Sequence, residues 1–180
     1  MKTKISPQYI LICLGAVIFT WITHEFAHWF TGEILGYDMT MTLNGVSSSD
    51  PYKSTIHKVL VNASGPLMTL IQAFVFFFIL SKHPNFSLFP FLFTPFYMRF
   101  LAGGMNFISL NDEGKIGEAL GIGIYTLPII ISAILFILVL MVSKKWVYQR
   151  KFIIWTTLLI MLFSSILILA DQFFKPIILG

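Results

Sequence analysis

Residues 7–30 read PQYILICLGAVIFTWITHEFAHWF, a mainly apolar run that closes on two histidines and a glutamate. About 20 apolar residues carry a helix across a hydrocarbon core about 30 Å thick. Four more stretches share this character: 59–80, 86–110, 119–142 and 152–170. Only 86–110 contains a formal charge, Arg99. The chain as a whole is 57% hydrophobic and 11% charged, whereas soluble domains carry about 25% charged residues. Lipid offers no partner for backbone N–H and C=O groups, so spanning segments must satisfy them internally, as helices do. The expectation is an all-α, polytopic, multi-pass integral membrane protein of the cell membrane with about five transmembrane helices. Residues 1–118 would form a three-helix core, and residues 119–180 would add two further transmembrane helices.

Met1-Lys2-Thr3-Lys4 ahead of an apolar run resembles a signal peptide, but the run is too long and no small-residue cleavage site follows. It reads as a retained first helix. The single cysteine, Cys13, excludes an internal disulfide. The net charge of +4 resides mostly in short connecting loops, where it orients a membrane protein rather than binding nucleic acid. On a five-helix arrangement Lys2, Lys4, Lys82, Lys144, Lys145, Arg150 and Lys151 share one face, and Lys53, Lys58, Lys115 and Lys175 the other. That bias makes the first face cytoplasmic. Trp21, Trp29, Trp146 and Trp155 fall at or near span ends, as interface anchors do.

The longest polar stretch, 31–58, separates the first two spans. Within it residues 37–43 alternate apolar and polar side chains, the period of a half-buried strand, and Asn44-Gly45 supplies a turn. A short β-strand or hairpin is expected there. The third span should be irregular, because Pro90 and Pro95 each remove a backbone donor and Gly103-Gly104 weakens the helix.

The chemistry concentrates in His24-Glu25-Phe26-Ala27-His28. Histidines at i and i+4 share one helix face, so both imidazoles reach one tetrahedral zinc ion. The glutamate between them stands beside the metal as a general base for metal-assisted hydrolysis. At 1.5 Å per residue from Gln8, His24 lies about 24 Å into the membrane. Ionisable groups at such depth are expensive and usually functional. A catalytic zinc needs a third protein ligand. His83 follows the second helix and lies on the opposite side; His57 is on the correct side, beside Lys58. The acidic segment Asn111-Asp112-Glu113-Gly114 is the stronger source, since the third helix returns its end to the level of His24 and His28. Arg99, mid-span, is a functional candidate by the same depth argument, set against an ordinary structural ion pair.

These residues resemble the site-2 protease family of intramembrane zinc metallopeptidases over roughly residues 10–115. His24-Glu25-x-x-His28 matches the family's zinc motif, the segment after it the membrane-embedded sheet, Asn62-Ala63-Ser64-Gly65-Pro66-Leu67 the Gly-Pro motif, and the stretch from Asn106 to Gly114 the Asn…Asp-Gly segment. Glu113 intervenes between Asp112 and Gly114, and Thr69 stands where the family has Asn. The resemblance implies a zinc metalloendopeptidase with Zn2+ held by His24, His28 and Asp112, with Glu25 as catalytic base. Glu113 is the rival third ligand. Its substrate would be a transmembrane segment of a membrane protein, cut in or next to the bilayer, with strand 37–43 pairing to an unwound substrate segment. Asn62 or Asn106 would donate to the oxyanion, and Arg99 would contact substrate. The rival readings are a membrane zinc protease whose third ligand is a downstream acid, Glu118, and a catalytically silent relative acting as a scaffold.

Overall fold

The computed structural model describes residues 5–180; Lys2 and Lys4, which count toward the orientation argument, lie outside them. Six helices and one hairpin follow in the order α1 Pro7–Ile34, β1 Met39–Met41, β2 Val46–Ser48, α2 Thr55–Lys82, α3 Phe89–Met105, α4 Asp112–Ala119, α5 Thr126–Lys145 and α6 Arg150–Phe174. Four of the helices, α1, α2, α5 and α6, are long and apolar enough to cross a membrane. The protein is therefore a helical membrane protein.

The expected third span departs most from expectation. Its first residues form a 3-10 turn, Phe86–Leu88, and the helix proper has 17 residues, about 26 Å at 1.5 Å per residue and short of a 30 Å core. Pro90 sits in the first helical turn, where its missing N–H costs nothing, and Pro95 is accommodated within the helix. The break comes instead at Asn106, after Gly103 and Gly104, where the chain turns through residues 106–111 into α4. The fourth span begins at Thr126 rather than at 119. Residues 120–125 form a turn in which Gly121 and Gly123 take positive φ, a conformation that L side chains avoid.

Helix starts are written locally. Ser6 Oγ accepts from the Tyr9 N–H at 3.2 Å with Pro7 behind it, Ser54 Oγ accepts from the His57 N–H at 3.2 Å, and Asn111 Oδ1 accepts from the Gly114 N–H at 2.7 Å. Between helices, a few polar bridges fix the arrangement. Gln72 on α2 donates to Thr20 Oγ1 on α1 at 2.8 Å and to the Phe91 carbonyl on α3 at 2.9 Å, joining the three helices at one level. Tyr9 and Thr156 link α1 to α6 at 2.7 Å. The apolar core draws on all the long helices and includes Val17, Leu80, Leu92, Leu135 and Ile160. At one end it is mainly aromatic, with Tyr9, Phe86, Phe89, Tyr148 and Phe152 in contact.

The hairpin after α1 forms as expected, antiparallel with Thr40 opposite Ser47. It runs back along α1: Trp29 Nε1 donates to the Met39 carbonyl at 3.2 Å, and Trp21 Nε1 donates to Asn44 Oδ1 at the turn at 2.9 Å. Trp21 lies 13 residues before the end of α1, so the turn reaches about 20 Å back along that helix. This corrects the reading of Trp21 as an interface anchor: it is 1% exposed and holds the hairpin tip. Replacing it with Phe keeps most of the ring but leaves Asn44 without its donor. Trp21→Phe should lower stability to denaturation in detergent by about 1–3 kcal/mol, and an unchanged unfolding midpoint would show that the tip is held by other contacts.

Candidate metal centre

His24 and His28 face the same side of α1, and both are buried. Their Nε2 atoms lie 3.1 Å apart. One ligand-capable atom from each of His24, Glu25 and His28 lies within 4.8 Å of the others, a group that could hold a metal ion. Asp112, the first residue of α4, reaches this group from the end of the α3–α4 turn. Its Oδ2 stands 3.2 Å from His24 Nε2 and 3.3 Å from His28 Nε2. Burial alone would raise the Asp112 carboxyl, but the two imidazoles hydrogen-bonded to it outweigh that and hold it well below the ordinary carboxylate range.

The backbone of α2 orients these groups. His28 Nδ1 lies 2.6 Å from the Val61 carbonyl. An N–H there donates to that oxygen, which turns Nε2 toward Asp112 and fixes the ring in the manner of a metal-ligand histidine. One turn on, Gly65 lies against both rings: a β-carbon at this position would fall on His28 Nε2 and the His24 ring. The Gly of the Gly-Pro pair is thus dictated by the approach of α2 to the imidazoles, and Pro66 is buried inside the helix behind it.

Arg99 on α3 joins the same cluster. Its Nη1 donates to Glu113 Oε1 at 3.1 Å and lies 3.6 Å from Asp112 Oδ2, and its Nη2 is 3.4 Å from His24 Nε2. Arg99 and Glu113 are 2% and 1% exposed. Arg99 is therefore a structural ion pair, and it also lines the cleft. Three carboxyl groups, Glu25, Asp112 and Glu113, gather around one guanidinium, with Lys115 also on the cleft wall. Uncompensated buried charge is costly.

A cleft of about 720 Å³ opens onto the cluster and includes Glu25, Asn62, Val46 and Lys115. The chain matches no family model, no curated protein and no solved structure. The site must be read from its own geometry.

The other expected residues divide. Asn62 lines the cleft and is half-buried, with no side-chain hydrogen bond among the described residues. Asn106 does not face the cleft. Its Oδ1 accepts from the Asn111 N–H at 2.6 Å and its Nδ2 donates to the Ile124 carbonyl at 3.1 Å, so both ends are spent shaping the turn that delivers Asp112. His57 pairs with the Tyr37 hydroxyl at 2.8 Å, away from the cluster. Glu118 lines a neighbouring depression rather than the cluster itself. Sequence reasoning expected a span over 152–170 but missed its part in the site: Ser165, Ile168, Leu169 and Gln172 of α6 wall the cleft. No local motif marks them, because they come from the far end of the chain.

The hairpin edges also differ from expectation. The Thr42 N–H to Gly45 O and Ser49 N–H to Asp38 O bonds set the ladder's parity, so Met39 and Met41 on β1, and Val46 and Ser48 on β2, turn their main-chain groups outward. On β1 those groups are used. Glu33 and Trp29 take those of Met39, and the Met41 N–H donates to Leu179 O at 2.8 Å while its carbonyl accepts from the Ile178 N–H at 2.8 Å. The edge assigned to substrate is therefore covered by the chain's own residues 178–179. On β2 the outward groups of Val46 and Ser48 have no partner among the described residues. Val46, Tyr52, Asn62 and Lys115 line both the cleft and an adjoining depression of about 490 Å³, which together border this open edge.

Gly65→Ala must push α2 away from the two imidazoles. It should lower divalent-metal affinity by at least about tenfold, in line with other changes around metal ligands, measured by chelator competition on detergent-purified protein. Parental affinity in that variant would mean that the close approach is not needed.

Proposed function

We propose that this chain is a membrane-embedded zinc metalloendopeptidase that hydrolyses a peptide bond in or next to a transmembrane segment of a membrane protein. The observation that carries the reading is the near-equilateral triangle of His24 Nε2, His28 Nε2 and Asp112 Oδ2, with sides of 3.1, 3.2 and 3.3 Å. Ligands 2.0–2.1 Å from a tetrahedral centre lie roughly 3.3–3.4 Å apart, so the triangle suits three protein ligands with a fourth position left to the cleft. Nitrogen and carboxylate donors together suit zinc. The likeness of His24-Glu25-x-x-His28, Gly65-Pro66 and Asp112 to the site-2 protease pattern supports the same reading. Glu113, the rival third ligand, is engaged by Arg99 instead.

When bound, zinc would polarise the scissile carbonyl and acidify the attacking water. Glu25, buried at the cleft wall beside the histidines, takes the proton that the water gives up as its oxygen bonds to the carbonyl carbon, then passes it to the amine as the C–N bond breaks. Asn62 and the Arg99 guanidinium are the donors placed at the cleft for the developing oxyanion. The substrate must be unwound to enter, and its main chain would pair with the open β2 edge at Val46 and Ser48, since strand addition satisfies groups that lipid cannot.

His24→Ala and His28→Ala should each lose bound zinc, read by metal analysis of the purified protein against about one zinc per parental chain. Glu25→Gln should retain the metal and abolish cleavage of a membrane-segment substrate. Processing by that variant at the parental rate would remove Glu25 as the base.

A further inference from the structure

Asp112 and Glu113 are consecutive on the first turn of α4, about 100° apart around the helix. One therefore points to the imidazoles and the other to α3. The next residue is glycine because a β-carbon there would meet the Asn106 side chain at 2.7 Å. Both carboxylates lie near the same guanidinium nitrogen, and the contacts are unequal: Arg99 Nη1 is 3.1 Å from Glu113 Oε1 and 3.6 Å from Asp112 Oδ2. The shorter contact goes to the carboxylate that does not touch the histidines. Glu113 is also the more deeply buried, and its Oε2 has no partner.

A guanidinium beside a carboxylate frequently closes into a two-pronged pair that uses both oxygens. Such a pair on Asp112 would occupy the lone pairs that a metal ion needs. We propose that Glu113 is a positioning residue that holds Arg99 at one 3.6 Å contact with Asp112, short of a closed two-pronged pair, and so leaves Asp112 free to ligate. The same contact fixes the guanidinium against the cleft wall. This role rests on the metal-centre reading above. It also explains why an acid stands between Asp112 and Gly114: a buried cation next to the centre needs a counter-charge that is not itself a ligand.

The test uses full-length protein in detergent, Zn2+ affinity by chelator competition, and the visible spectrum of the Co2+-loaded form as a readout of coordination geometry. Glu113→Gln should weaken Zn2+ binding by roughly 10–100-fold, the usual cost of disturbing groups behind a metal ligand, because Arg99 then turns to Asp112. Glu113→Asp, which keeps the charge, should stay within a few-fold of the parent. Arg99→Met combined with Glu113→Gln should recover affinity and the parental Co2+ spectrum, since the competitor is gone. Parental affinity in Glu113→Gln overturns the proposal. So does a double variant as weak as the single one, which would make Glu113 a ligand or a simple structural counter-ion. All comparisons are to the parental chain, whose own metal content tests the earlier reading separately. Melting curves of each variant exclude loss of fold as the cause.

Discussion

The arrangement depends on how closely α2 lies against two imidazoles of α1. At Gly65 the helix presents no side chain, and the rings of His24 and His28 occupy the space where one would be. From the same helix the Val61 carbonyl accepts a hydrogen bond from the His28 Nδ1–H. The histidines are thus clamped from one side, which leaves the opposite side for a third group. That group has to arrive from a different helix, and the short α3 with its break at Asn106 is what allows it. A continuous span through residues 106–111 would carry Asp112 past the level of the rings.

Burial makes the cluster an all-or-nothing arrangement. Two imidazoles, three carboxylates and a guanidinium packed beside lipid are tolerable only when each charge has a counterpart within a few ångströms. Arg99 meets Glu113 and stands beside Asp112, and Asp112 meets both histidines.

The hairpin follows the same economy applied to main-chain groups. It reaches about 20 Å back along α1, and an open N–H or C=O is costly wherever water is excluded. Glu33, Trp29 and residues 178–179 close the outward groups of β1, and Trp21 holds the turn. Among the described residues only β2 keeps an open edge, and it is the strand that borders the cleft. Because residues 178–179 follow α6, their pairing with Met41 also ties that helix, one wall of the cleft, to the hairpin.

Local chemistry made much of this legible in the chain. Long apolar runs identify the four spanning helices, alternation followed by Asn44-Gly45 identifies the hairpin, and i, i+4 spacing places His24 and His28 on one stripe, because each depends only on neighbours in sequence. Topological parity even brings Asp112 to the level of the histidines. What parity does not reach is which of two adjacent acids faces the rings, whether Asn106 looks into the cleft or into its own turn, which hairpin edge is covered, and that α6 supplies a wall. Those are contacts between residues far apart in the chain, decided by rotations of a few tens of degrees and shifts of about an ångström, and only the packed structure specifies them.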